Sequence, residues 1–210
     1  MFTGIVTAVG RIERVEPLGA GPEAGVHLTV DAGGLDLEDV RPGDSIAIQG
    51  ACMTAIRLEG GRFEVDVSRE SLDRTVGLDA VGEVNLEKAL TLNDRLGGHL
   101  VSGHVDGIGT VARFEPVGES HELVVTVPAA LSRYLAYKGS ITVNGVSLTV
   151  NRVADHAGGT DVSINLIPHT VQVTTLRNLR AGSPVNLEID MIARYVERMM
   201  SMPEGTTRGL

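Results

Sequence analysis

The chain has 210 residues, 42% of them hydrophobic and 21% charged, with a formal charge of -9 at pH 7. That apolar content excludes a wholly disordered chain, and the acidic balance argues against binding a nucleic-acid backbone as the main task. A single cysteine, Cys52, excludes an intrachain disulfide, a CxxC redox pair and a multi-cysteine metal site.

In chain order, the opening MFTGIVTAVGRIERV lacks a basic segment followed by a long apolar one, and no apolar run approaches the length of a membrane span. The expectation is a soluble, cytoplasmic protein with no membrane contact. Segments 25–30, 45–48 and 62–67 alternate or carry β-branched residues and read as strands, with 35–40 as a short helix between the first two. Further strands are expected at 122–127, 140–143, 147–150 and 161–164, punctuated by turns such as Asn144-Gly145. Segment 128–136 opens on Pro128 and spaces Leu131 and Leu135 four apart, which predicts one short helix. From 190 to 200 the sequence DMIARYVERMM sets Ile192, Val196 and Met199 on one apolar stripe beside Met200, so a last helix is predicted. Pro203 and Gly205 should end it, leaving 203–210 as a flexible tail. Such a stripe needs a partner surface, on other subunits or on its own chain.

The chain repeats itself. TGIVTAVGRI at 3–12 returns as SGHVDGIGTV at 102–111, with Gly4, Val6 and Gly10 matched 99 positions later. SIAIQGACMTA at 45–55 faces SITVNGVSLTV at 140–150, and GEVNLE at 82–87 returns in GSPVNLE at 182–188. A period near 100 is a duplicated domain rather than a solenoid. Each half supplies about six short strands and little helix to cover them, so closure into a small barrel is the simplest way to remove sheet edges.

Motif readings are mostly negative. TGIV and SGHV carry no GxGxxG or GxxxxGK spacing, which disfavours a nucleotide phosphate cradle. His99 and His104 lie five apart, but no acidic cluster completes a ligand set, so no metal is expected. Cys52 faces Ser147 in the repeat, each followed by one residue and then Thr. Core filling accounts poorly for that pair, and a divided ligand site accounts for it better.

MFTGIV, GGHLVSGHVDG at 97–107, YKGSITVNGVSLTV at 137–150 and TTLRNLRAGSPVNLEID at 174–190 resemble the riboflavin synthase family. The resemblance spans residues 1 to about 200. It implies an all-β fold of two tandem six-stranded Greek-key β-barrels from internal duplication, plus a C-terminal helix. The expected divisions are 1–97, 98–189, helix 190–202 and tail 203–210. It further implies a cofactor-free homotrimer with active sites between subunits, admits lumazine synthase as an associated partner, and gives no role to nucleic acid. The implied reaction is dismutation of two 6,7-dimethyl-8-ribityllumazine molecules, giving riboflavin and 5-amino-6-(D-ribitylamino)uracil by transfer of a four-carbon unit.

Carried onto this sequence, the resemblance sets Gly4, Ile5 and Val6 against one lumazine in a pocket shared with Cys52, Met53 and Thr54, with Phe2 near the opposite ring. Asp66, Val67, Ser68, Arg69, Glu70 and Ser71 would face its ribityl and pyrimidine edges. The second pocket would take Gly103, His104, Val105, Lys138, Ser147, Leu148 and Thr149, completed by Asn165, Leu166, Ile167, Pro168, His169 and Thr170. Implied chemical roles fall on Cys52, His104, Ser147, Thr149 and Asp190: His104 and Thr149 for proton transfer at the C7 methyl, Ser147 or water as nucleophile, Cys52 as donor or positioner, Asp190 for orientation. The chain departs from the usual pattern at Gln49, expected to relax its turn, at Ala51, and at His169. A non-catalytic lumazine- or flavin-binding protein is the rival reading on the same scaffold.

Overall fold

A computed structural model describes residues 1–202; the expected tail 203–210, with Pro203 and Gly205, lies outside them. The first half contains β1 (Ala8–Pro17), β2 (Val26–Asp31), β3 (Ser45–Ile48), β4 (Ala51–Glu59), β5 (Arg62–Val67), helix α1 (Arg69–Arg74) and β6 (Gly82–Lys88). These strands close into a barrel in the order β1-β2-β5-β4-β3-β6. Alternation dictates which faces turn inward. In β5, Phe63, Val65 and Val67 are fully buried between more exposed neighbours, and they meet Leu28 and Val30 of β2 in one core.

The second half contains β7 (Gly107–Val117), β8 (Ser120–Val127), β9 (Ser140–Val143), β10 (Val146–Thr149), β11 (Arg152–His156), β12 (Gly159–Leu166), helix α2 (Pro168–Val173) and β13 (Pro184–Ile189). Here the expectation of a six-stranded closed barrel is corrected. The strands form a seven-stranded sheet, order β10-β9-β13-β7-β8-β12-β11, with no pairing between its two end strands. The difference lies in one strand. β4 runs unbroken from β3 to β5, bent by a register shift between Ala55 and Arg57 around the β-branched Ile56. In the copy, Asn151 stands where Ile56 does, a residue type depleted in strands. Its side chain accepts from Lys138 Nζ at 2.9 Å, and the strand divides there into β10 and β11. The sheet still wraps one core, including Leu123, Val125, Ile141, Val162, Ile164 and Leu187.

Of the two short-helix expectations, one is corrected and the other is met by a tighter helix. Segment 35–40 forms turns, with Leu35 and Val40 buried against the first core. Segment 128–136 tightens into a 3-10 helix over Ala129–Tyr134 that buries no residue. The last helix, α3 (Met191–Met200), begins on Asp190, whose carboxylate accepts from Ile192 N at 2.9 Å as an N-cap.

The halves are joined by reciprocal bonds. Turns Gln49-Gly50 and Asn144-Gly145 meet so closely that a Cβ on Gly50 would stand 2.7 Å from Gly145 N. Buried Asn85 donates to Asn144 O (2.9 Å) and accepts from Thr175 N (2.8 Å). Its duplicate, buried Asn186, donates to Gln49 O (3.0 Å) and Val76 O (3.1 Å) and accepts from Val76 N (2.8 Å). Gln49 does not relax its turn. Its Oε1 accepts from Asn85 N at 2.9 Å, as Asn144 Oδ1 accepts from Asn186 N at 2.8 Å, and both take positive φ.

Candidate active site

Each half ends on a strand that carries a buried carboxylate. Glu87 on β6 accepts from Thr3 N (2.7 Å), Thr3 Oγ1 (2.7 Å) and Gly4 N (2.9 Å). Glu188 on β13 does the same for Ser102 N (2.7 Å), Ser102 Oγ (2.6 Å) and Gly103 N (3.0 Å). Burial pushes both carboxyls above the usual carboxylate range, while the Thr3 and Gly4 or Ser102 and Gly103 donors pull the other way.

From these clasps the two segments cross to the opposite half. Gly4 O accepts from Ser147 N at 2.7 Å, and Gly103 O accepts from Cys52 N at 2.8 Å. Both glycines hold positive φ, +74° and +78°, and a Cβ on either would stand 2.7 Å from the Cβ of Ser147 or Cys52. Only glycine fits both the conformation and the space. Between them Phe2 and Val101 form an isolated antiparallel bridge, and the Phe2 ring is fully buried. Val6 accordingly packs on the second core and Val105 on the first.

These backbone contacts run across the halves rather than within the half expected for each segment. Gly4 meets Ser147 and Val6 joins the core that holds Leu148, whereas Gly103 meets Cys52 and Val105 joins the core that holds Met53. Beside Glu87 lies a cleft of about 690 Å³ lined by residues including Thr3, Ile5, Leu35, Lys88, Leu90 and Gly97. Beside Glu188 lies one of about 470 Å³ whose lining includes Met1, His104, Val105, Asp106, Met191 and Arg194. Both volumes suit a small organic ligand. A Cβ on Gly98, next to Gly97 of the larger cleft, would stand 2.8 Å from Ser147 Oγ.

Other expected residues are placed less centrally. Lys138, at φ 62°, holds Asn151 and lies 5.4 Å from the Tyr137 ring centroid. Asp66 is exposed and bonded to His27 Nδ1 at 2.8 Å, Ser68 caps α1 by accepting from Ser71 N at 3.1 Å, and Arg69 and Glu70 pair along α1 with Asp73 and Arg74. Val67 is in the first core and Leu166 in the second, while Asn165, Ile167, Pro168 and His169 are exposed and Thr170 is half-buried at the start of α2.

Sequence reasoning missed three residues. Glu87 and Glu188 were visible only as the repeated VNLE. His99 was weighed only as a metal ligand, yet its Nδ1 lies 2.7 Å from Ser147 Oγ. Burial lowers its pKa, against the upward pull of Asp190.

Two clefts related by duplication, each lined by the carboxylate-clasped segment and the closing strand of its own half, define a protein with a pair of similar sites for small ligands. The sequence profile of the Lumazine binding domain matches twice, over residues 3–89 and 102–190. The chain is 43% identical over 202 residues to the riboflavin synthase of Photobacterium phosphoreum, covering 95% of this chain and 89% of that one. It is 42% identical over 204 residues to that of Mycobacterium tuberculosis, covering 95% and 98%. Its fold superposes on the crystal structure of LumP complexed with riboflavin with a TM-score of 0.77 at 25% identity, covering 90% of this chain and 99% of that one. The chain belongs to the riboflavin synthase family of lumazine-binding-domain proteins.

Proposed function

We propose that this chain catalyses the riboflavin synthase reaction, the dismutation of two 6,7-dimethyl-8-ribityllumazine molecules into riboflavin and 5-amino-6-(D-ribitylamino)uracil. The observation that supports it is the duplicated pair of clefts beside Glu87 and Glu188, tied together by the reciprocal crossing at Gly4–Ser147 and Gly103–Cys52, a pairing that suits two identical substrates. Loss of a proton from the C7 methyl leaves an anion delocalised into the electron-poor ring, so the substrate supplies its own electron sink. The protein's task is to orient two rings and admit a nucleophile to C7 of one. Alignment of this kind is worth up to about 7–11 kcal/mol of the barrier.

The same reading takes the assembly to be a homotrimer with each reaction site shared between subunits. Its support is α3, where Ile192 (64% exposed), Val196 (43%) and Met199 (69%) form an apolar stripe with nothing over it among the described residues. Glu197 fastens the helix to Arg133 at 2.7 Å, leaving that stripe outward. Truncation after Glu188 should weaken self-association in analytical ultracentrifugation, and an unchanged trimer refutes the helix as its seam.

The direct test incubates metal-stripped protein with 6,7-dimethyl-8-ribityllumazine and quantifies both products. Equimolar riboflavin and pyrimidine are expected. Binding without product supports the carrier reading instead, and unequal yields overturn the dismutation.

A further inference from the structure

We infer that His99 is a positioning and proton-accepting residue that acts through Ser147, a role that rests on the synthase reading above. Four observations converge on it. The His99 imidazole reaches the Ser147 hydroxyl at 2.7 Å through Nδ1. Its backbone is held, N–H donating to Thr3 O at 3.1 Å, in the segment that the Glu87 clasp fixes. The preceding Gly98 lets the chain pass so close to Ser147 that no side chain fits there, since a Cβ would stand 2.1 Å from Thr3 O. Nε2 is buried without a hydrogen-bond partner among the described residues, so no second bond there commits the ring to another role.

Cys52 makes the comparison informative. It occupies the duplicate position, takes the same backbone bond from the opposite half, and is packed among Phe2, Ala47, Val101 and Ala89 with no imidazole on its sulfur. Of the two duplicate positions only Ser147 carries a hydroxyl–imidazole pair. Asp190, at the N-cap of α3, is the charged group acting on His99, and burial outweighs its pull, so the ring is neutral at pH 7 and able to accept a proton.

The step balances as follows. Ser147 Oγ bonds to C7 of the acceptor lumazine, the C7–N π pair moves into the ring system, and the hydroxyl proton passes to His99 Nδ1. The donor carbanion then bonds to the adjacent C6, whose π pair with N5 moves onto nitrogen; the N8 lone pair re-forms the C7–N π bond, the C7–Oγ bond breaks with its pair on oxygen, and the imidazolium returns the proton to the departing serine.

The test measures single-turnover rates from pH 5 to 8 for the wild-type chain, His99→Asn, His99→Gln, Ser147→Ala and the His99→Asn/Ser147→Ala double variant, with lumazine affinity by fluorescence. His99→Asn and His99→Gln should each lose on the order of 100-fold in rate, as removal of a general base does, with affinity within about threefold of wild type. The acid limb of the pH profile should vanish with the imidazole, and the double variant should be no slower than Ser147→Ala. A rate within about threefold of wild type, an unchanged acid limb, or affinity falling in step with rate overturns the role of His99 while wild-type turnover leaves the synthase reading standing. A wild-type chain that makes no riboflavin overturns both.

Discussion

The Cys52 and Ser147 sides of the molecule share a backbone and differ in polarity. Each receives a positive-φ glycine from the other half through a main-chain bond of 2.7–2.8 Å, and each is backed by a carboxylate with three donors. Around Cys52 lie Phe2, Ala47, Val101 and Ala89, whereas Ser147 has His99 on its hydroxyl and Asp190 acting on that ring. Duplication has kept the residues that shape the main chain and changed the side chains beside positions 52 and 147. One side is apolar, and the other pairs a hydroxyl with an imidazole.

The firmest way to break the comparison is at the crossing glycines. Gly4→Ala and Gly103→Ala combine left-handed backbone with a Cβ 2.7 Å from a neighbouring Cβ, and each should cost about 2–5 kcal/mol of stability by denaturant titration. Gly34→Ala, with φ +96° and open space around it, isolates the conformational part at about 1–2 kcal/mol. Equal costs at all three positions would show that the crossing is loose.

Chemistry sharpens the comparison next. Ser147→Ala should slow single turnover about 100-fold, roughly 2.7 kcal/mol, and Thr54→Ala by less than about tenfold. Equal losses at saturating lumazine would reject the division of labour between the clefts.

The interface asparagines should follow. Asn186→Ala strands Val76 N–H and Gln49 O, and Asn85→Ala strands Thr175 N–H and Asn144 O. Each loss is expected to cost about 1–3 kcal/mol, with Asn186 the larger because its side chain also bonds Val76 O. A larger loss at Asn85 in the denaturation midpoint would reverse that ranking.

The smallest effect is a slope. Burial raises the Glu87 and Glu188 pKa values in the fold, so between the unfolded value near 4.5 and the raised ones the folded chain binds more protons. Stability from these groups is then fully present below pH 4.5 and declines as pH rises through the raised values. Glu87→Gln and Glu188→Gln should each flatten part of that decline in melts taken from pH 4 to 7. A slope that neither variant changes assigns it to other groups.

Much of the fold was legible because alternation is a local signal. Phe63, Val65 and Val67 announce β5 and its inward face without help from the rest of the chain. The break at Asn151 was not legible, since one polar residue in an apolar run reads equally as a bulge within one strand or the end of it. Nor was the non-helical path of 35–40, whose Leu35 and Val40 spacing fits a buried turn as well as a helix. At the site the repeat exposed equivalence, matching Gly4 to Gly103 and Cys52 to Ser147, but equivalence leaves open on which copy a segment packs. That choice depends on non-local bonds such as Gly4 O to Ser147 N. His99 was hidden for the same reason, 48 residues from the serine it contacts.

The exchange of Asn85 and Asn186 across the facing 49–50 and 144–145 turns has the pattern of an isologous contact, in which each partner presents what the other needs. A single half owns both ends of that contact, the turn and the asparagine, so two copies of one half carry the parts to pair as the halves do here. Joining them in one polypeptide lifts a constraint of symmetry. In a dimer of identical halves every substitution appears twice, and a serine placed for one ring also faces the other. Within one chain a thiol and a hydroxyl can occupy the duplicate positions 52 and 147, and two copies of one substrate can meet two different fates.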